Sequence, residues 1–186
     1  MGEPKNQNRI QPVDPQKVSD KTGRLLGQVR AKLGLVPNLF RVLANAPVAL
    51  EGYVNFSAAL AGGTLDDRTR EQIALAVAES NLCGYCLSAH AFLGQKAGLN
   101  PDEIANAVRA SAADPQIDAI LKLARTIVVQ RGEVSDSDLQ RARAAGLTEG
   151  EVVETVANVA LNIFTNYINH VARTAVDFPQ LTLRDP

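Results

Sequence analysis

The sequence predicts an all-α protein. No segment alternates apolar and polar residues with the period of two that a half-buried strand needs, apolar residues recur at three- and four-residue spacing, and those runs are bracketed by capping residues and glycine stops. Composition agrees: 46% of residues are hydrophobic but only 4% aromatic, with no tryptophan. The core must therefore be built from small and aliphatic side chains, which suits close helix packing.

The elements follow in order. Residues 1–18, with Pro4, Pro12 and Pro15, read as a polar N-terminal arm, and 19–186 as a single helical domain, in keeping with a chain of 186 residues. Ser19 or Asp20 caps a helix carrying Leu25, Leu26, Val29 and Leu33 that stops near Gly34. Pro37 opens a short second helix. From Pro47 the series Leu50, Val54, Ala58 runs to the Gly62-Gly63 break, and a helix from about Asp66 to Asn81 turns Ile73, Ala76 and Val77 inward. Cys83 to Ala97 forms the next, ending at Gly98. Asn100-Pro101 with Glu103 gives a cap, a first-turn proline and a capping box. Asp114-Pro115 starts a helix through Ile120, Leu123, Ala124 and Ile127, Ser135 caps one ending at Gly146, and Thr148 with Glu151 boxes a last helix expected to reach about Asp177.

An internal repeat runs through this pattern. Ala97-Gly98-Leu99-Asn100-Pro101-Asp102-Glu103-Ile104 is echoed by Ala145-Gly146-Leu147-Thr148-Glu149-Gly150-Glu151-Val152. The same register sets Glu71 opposite Ala119, Cys83 opposite Arg131, Cys86 opposite Val134 and His90 opposite Asp138. A repeated helix-hairpin unit is expected, with chemistry on the first copy only.

Charge narrows the function. With 19 basic and 20 acidic residues the net charge is -1, too little field to draw the chain to nucleic acid or an anionic membrane. Neither partner is expected. The opening MGEPKNQNRI has no apolar stretch of signal-peptide type, and no later run has the length of a membrane span, so a cytoplasmic protein is expected. In a reducing compartment two close cysteines are more often catalytic or metal-binding than structural.

In LCGYCLSAH, Cys83, Cys86 and His90 follow at spacings of three and four, so a helix puts them on one face. Unpaired amides at a helix N-terminus stabilise a thiolate, and an adjacent imidazole can take the thiol proton. A peroxide would oxidise one thiolate to sulfenic acid, with which the second cysteine condenses to a disulfide. Glu71, on an otherwise apolar helix, would orient His90 or pass a proton, although acidic residues also favour first turns for electrostatic reasons alone. Zinc, with Glu71 as fourth ligand, is the competing use of the same residues, but ligands crowded on one helical face make a poor tetrahedral cage. No metal and no bound cofactor are expected. Two inert buried cysteines are the bland alternative.

The last helix carries Asn158, Asn162, Asn166 and His170 at four-residue spacing. They line a pocket or, the favoured reading, form a hydrogen-bonded network between helices or subunits, because buried amides need partners. Tyr85, like Tyr53, Phe92 and Tyr167, is read as a core or interface residue before a substrate contact.

Glu71, eleven residues, Cys-Gly-Tyr-Cys, three residues and His90 together resemble the motif of the alkylhydroperoxidase AhpD-like group in the carboxymuconolactone decarboxylase superfamily. The ending FTNYINHVARTAVDFP resembles its peroxidase-related subgroup, so the likeness runs from about Pro37 to Pro179. The resemblance implies an AhpD-like helical bundle assembled as a homo-oligomer (dimer, trimer or hexamer). It implies a thiol-dependent alkyl hydroperoxide reductase whose redox-active disulfide, Cys83–Cys86, is recycled by an external dithiol reductant or redox adaptor protein. It makes Cys86 peroxidatic, Cys83 resolving, and Glu71 and His90 the proton relay. Helix-end reasoning alone favours Cys83 as the more acidic thiol. Better-known members have histidine immediately before the second cysteine, where this chain has Tyr85, which leaves the relay to His90. A lactone decarboxylase and a non-enzymatic redox sensor are the alternatives.

Overall fold

The computed structural model describes residues 8–181, so part of the expected arm (1–7) and the last five residues lie outside the description. Among the described residues there are nine helices and no strand: α1 (Asp20–Leu33), α2 (Asn38–Leu43), α3 (Pro47–Leu60), α4 (Asp67–Ser80), α5 (Gly84–Lys96), α6 (Pro101–Val108), α7 (Pro115–Val129), α8 (Asp136–Ala144) and α9 (Glu149–Ala172). No helix among them is long and apolar enough to cross a membrane.

The capping chemistry starts the helices where the sequence places it. Ser19, Asp66 and Asp114 each accept a first-turn amide, and Asn100–Glu103 and Thr148–Glu151 close complete capping boxes. α4 is the central element. Ile73 through Ala78 are all buried, so it is apolar on every side, and it packs against α5, α6, α7 and α9. Side chains of one to three carbons (Ala74, Ala76, Val77, Ala78) let those neighbours approach closely. Leu50, Ile73, Leu75, Leu87 and Leu121 are fully enclosed, each worth about 1.5–3 kcal/mol of burial.

The repeat is visible as two helix triplets, α4–α5–α6 and α7–α8–α9. The caps Asp66 and Asp114, and Asn100 and Thr148, keep the sequence register, as do Gly98 and Gly146, both left-handed with φ of 91° and 96°. The middle helices keep it at their ends, with C-caps Ala97 and Ala145, but not at their starts. α5 begins at cap Cys83 and α8 at cap Ser135, because the turn after α7 is longer, with Arg131 and Gly132 both at positive φ. In that register Cys83 and Cys86 stand opposite Arg131 and Val134, which precede α8, and His90 opposite Asp138 in its first turn. The second unit still lacks the chemistry.

α9 also ends earlier than expected, at Ala172. Arg173 takes a left-handed conformation (φ 48°) and its amide turns back to Asn169 and His170. The chain then runs as an extended segment, held by Asn38 Nδ2 donating to the Ala175 carbonyl (3.0 Å) and by the Ala175 amide donating to Asn8 Oδ1 (2.8 Å). The described part of the arm lies along the same end: the Arg9 amide donates to Ala172 (2.7 Å) and the Val13 amide to Arg41 (3.0 Å). From α9, Glu154 reaches across to accept the amides of Thr64 and Leu65 at 2.8 and 3.0 Å, which fixes the loop leading into α4.

Candidate functional site

The site is built where α4 passes to α5. Asn81 ends α4, Leu82 takes a left-handed conformation (φ 55°), and the Cys83 amide returns to the Ala78 carbonyl at 2.8 Å. A leucine in that conformation costs energy, so the turn needs outside support. α9 supplies it. Asn81 Nδ2 donates to Asn166 Oδ1 (2.9 Å), and His170 Nε2–H donates to the Asn81 carbonyl (2.8 Å).

Cys83 thereby becomes the N-cap of α5, its sulfur accepting the Cys86 amide at 3.3 Å. The two cysteines are joined in a disulfide, with Cα atoms 5.3 Å apart. Asn169 Nδ2 of α9 donates to Cys86 Sγ at 3.2 Å. One turn beyond Cys86, His90 Nδ1 meets Glu71 Oε2 at 2.7 Å across the α4–α5 contact. Nearby, Gly94 leaves room for Leu99, whose Cδ1 would lie 2.9 Å from an added Cβ. With Nδ1–H committed to the carboxylate, Nε2 is the ring nitrogen left to exchange a proton. The two side chains are 18% and 22% exposed, and a pair so placed is worth about 1 kcal/mol or less in stability. Its use is orientation.

Cys86, Glu71 and His90 all reach the wall of one cavity of about 530 Å³ enclosed by α1 to α5, α9 and the C-terminal segment. Phe40, Tyr53, Leu93, Leu161 and Phe178 are the large apolar groups on its walls, Asn158, Asn162, Thr165 and Asn169 are its polar residues on α9, and Lys32, Asp67, Arg70 and Lys96 are charged groups on its lining. Cys83 does not reach that wall. Burial first, then the nearby Glu71 carboxylate, pushes the Tyr53 phenol up to about 12, so it stays neutral.

The structure brings Glu71, Cys83, Cys86 and His90 together, and sets Tyr85 and Asn162 at the cavity. Asn166 and His170 stand elsewhere, clasping the α4–α5 turn from outside. They belong to the interhelical network, and the pocket reading does not hold for them. Asn169, adjacent to Cys86, was outside the expected stripe. Steps of four residues drift about 120° round a helix from 158 to 170, whereas 162 and 169, seven apart, stay within about 20° of each other. A seven-residue template would have found it.

Tyr85, which stands where better-known members of the resembled family have histidine, has a structural task. Its hydroxyl donates to Asp177 Oδ1 (2.8 Å) and accepts the buried Leu39 amide (3.1 Å), while Asp177 Oδ2 accepts the Asn38 amide (2.8 Å). The ring meets Phe178 edge to face at 5.8 Å. Burial, and the adjacent Asp177 carboxylate, drive the phenol far above its ordinary value, so Tyr85 is no base. It latches the C-terminal segment over α5, where the Leu181 amide also donates to Ser88 Oγ (3.1 Å). Tyr85→Phe is expected to cost about 1–3 kcal/mol, because the Leu39 amide is left buried and unpaired. Urea unfolding of the two proteins measures it, and equal stabilities would remove the latch.

Among the described residues no group of three or more histidine, cysteine or carboxylate side chains is arranged to hold a metal ion. Glu71 is engaged with His90, and the two sulfurs with each other.

Residues 47–130, the segment that holds all four motif residues, match the carboxymuconolactone decarboxylase family. No curated protein matches the chain by sequence. The fold is shared with the crystal structure of an alkylhydroperoxidase AhpD core, an uncharacterized peroxidase-related protein from Ralstonia eutropha JMP134 (TM-score 0.82, 23% identity, 95% of this chain and 94% of that one). An uncharacterized peroxidase-related protein from Silicibacter sp. TM1040 is similar at TM-score 0.79 and 21% identity, over 90% of this chain and 92% of that one. The debrominase Bmp8 in complex with 2,3,4-tribromopyrrole has the same fold at TM-score 0.80 and 14% identity, with 92% of each chain covered. At these identities the likeness establishes a common fold, and the activities belong to those proteins. Over residues 47–130, which carry the motif, the chain is thus similar to the carboxymuconolactone decarboxylase family, and its fold is that of AhpD-like, peroxidase-related structures.

Proposed function

We propose that the protein reduces organic hydroperoxides through the Cys83–Cys86 couple. The observation that carries this reading is that one apolar cavity wall presents Cys86 beside the His90–Glu71 pair, while Cys83 is set behind it as the helix cap. Cys86 is the attacking sulfur. As a thiolate it takes the distal oxygen of the hydroperoxide, the O–O bond breaks, and the departing alkoxide receives a proton from His90, which Glu71 holds in place. The Cys83 thiol then attacks the Cys86 sulfenic acid, forming the disulfide and releasing water. An external dithiol reduces that disulfide by exchange and leaves as its own disulfide. Such recycling suits a reducing compartment, and the cytoplasm is the proposed location.

The cavity supports an organic substrate over hydrogen peroxide. Its volume is in the range of small-molecule sites, and its aromatic and aliphatic stretches can enclose an alkyl or aryl group that hydrogen peroxide lacks. Assembly is a second part of the proposal. Val153, Val156, Phe164, Tyr167 and Val171 of α9 are exposed within about 80° of one another round the helix, a stripe that a second copy of the chain would cover.

Turnover of cumene hydroperoxide with dithiothreitol is expected to fall by at least about 100-fold in Cys86→Ser and in Cys83→Ser, and by roughly 100-fold in His90→Ala. A Cys86→Ser protein that works at the wild-type rate sinks the reading. Lactone decarboxylation that survives loss of both cysteines would favour the decarboxylase alternative, and oxidation without turnover a sensor. Sedimentation of wild type as a monomer, indistinguishable from Tyr167→Asp, would overturn the oligomer.

A further inference from the structure

Each sulfur of the pair has one hydrogen-bond donor, and the two donors differ in kind. Cys83 Sγ accepts the Cys86 backbone amide as a helix cap, a contact that any capping residue at that position would make. Cys86 Sγ accepts a side-chain amide brought from another helix, Asn169 Nδ2 at 3.2 Å.

Asn169 is placed with little freedom. It is 5% exposed and stands in the last turn of α9, where its carbonyl accepts the Thr174 amide at 3.2 Å as the helix closes. Its Oδ1 is buried without a hydrogen-bond partner. An enclosed amide with one unsatisfied end does little for stability, and an apolar side chain of equal size would avoid that cost. The end that is satisfied points at sulfur. Sulfur in a thiol or disulfide is a weak acceptor, whereas a thiolate is a charged one, so an N–H aimed at it favours ionisation.

We propose that Asn169 is a positioning residue that selects Cys86 as the thiolate of the reduced pair, offsetting the helix-end preference for Cys83. This rests on the peroxidase reading for its purpose, though not for its test. The donor acts on Cys86 alone and lets the sulfur at the cavity wall carry the charge while Cys83 waits as a thiol. When Cys86 becomes a sulfenic acid, the free Oδ1 is the acceptor available to its hydroxyl, which would satisfy both ends of the amide at that stage.

The test reads ionisation without any peroxide. In reduced full-length protein carrying Cys83→Ser, so that only Cys86 remains, alkylation by iodoacetamide is followed against pH, with and without Asn169→Leu, an apolar near-isostere. Other titratable groups at the cavity are Asp67, Arg70 and Glu71 from α4, Tyr85, His90 and Lys96 from α5, Tyr53 from α3 and Lys32 from α1. α9 adds none there, and the substitution leaves all of these in place.

The midpoint for Cys86 is expected to rise by about one pH unit, a roughly tenfold loss of thiolate below it, with the melting temperature held or raised. In protein that keeps both cysteines, alkylation should move from Cys86 towards Cys83 by peptide mapping. An unchanged midpoint, or lost stability with unchanged alkylation, overturns the proposal and leaves Asn169 a packing residue. Asn169→Ala repeats the comparison should leucine prevent folding. If Asn169→Leu shifts the midpoint but the wild-type protein does not turn over peroxides, the peroxidase reading alone fails.

Discussion

The molecule is organised by the close contact of α4 with α5. α4 is buried on every side from Ile73 to Ala78, so its path is set by the helices round it. That contact is what lets a carboxylate on one helix reach an imidazole on the next at 2.7 Å. The energy of the pair is small beside the aliphatic burial around it, so the core positions the pair and not the reverse.

The sulfur pair depends on the same arrangement through a different device. A strained left-handed leucine turns the chain so that Cys83 caps α5, and the polar face of α9 clasps the turn from outside while touching Cys86 from within. α9 therefore acts on both sides of the cysteine pair while adding no titratable group at the cavity. The Tyr85 latch closes the opposite side, fixing Phe178 as a wall. The two phenols at the cavity, Tyr53 and Tyr85, are held neutral by burial, which leaves His90 and Glu71 as the proposed proton carriers beside Cys86.

Much of this was legible in the sequence, for local reasons. Helix starts are written in capping residues, whose hydrogen bonds reach only three positions along the chain, and Cys83, Cys86 and His90 share a face because of spacing alone. Glu71 needed the family motif, since an acidic residue in an early helical turn has an ordinary explanation as well. What stayed hidden depends on distant contacts. The stop of α9 has no glycine or proline to announce it, because Arg173 adopts the left-handed cap and the extended segment beyond is held by α2 and the arm. The displaced start of α8 follows from a longer turn that caps and glycines elsewhere conceal. Tyr85 could be marked as a departure from the motif, but its partners Leu39 and Asp177 lie 46 and 92 residues away.

The central claim is that Cys86, facing the cavity, is the sulfur that meets the peroxide. Reduced Cys83→Ser protein, treated with one equivalent of cumene hydroperoxide and trapped with dimedone, isolates that step. The adduct is expected on Cys86 in that protein, a much slower and smaller adduct on Cys83 in Cys86→Ser, and in wild type the loss of two hydrogens in intact mass with no adduct. Faster trapping at Cys83 than at Cys86 would reverse the roles of the two sulfurs, and both thiols surviving the peroxide in wild type would contradict the account outright.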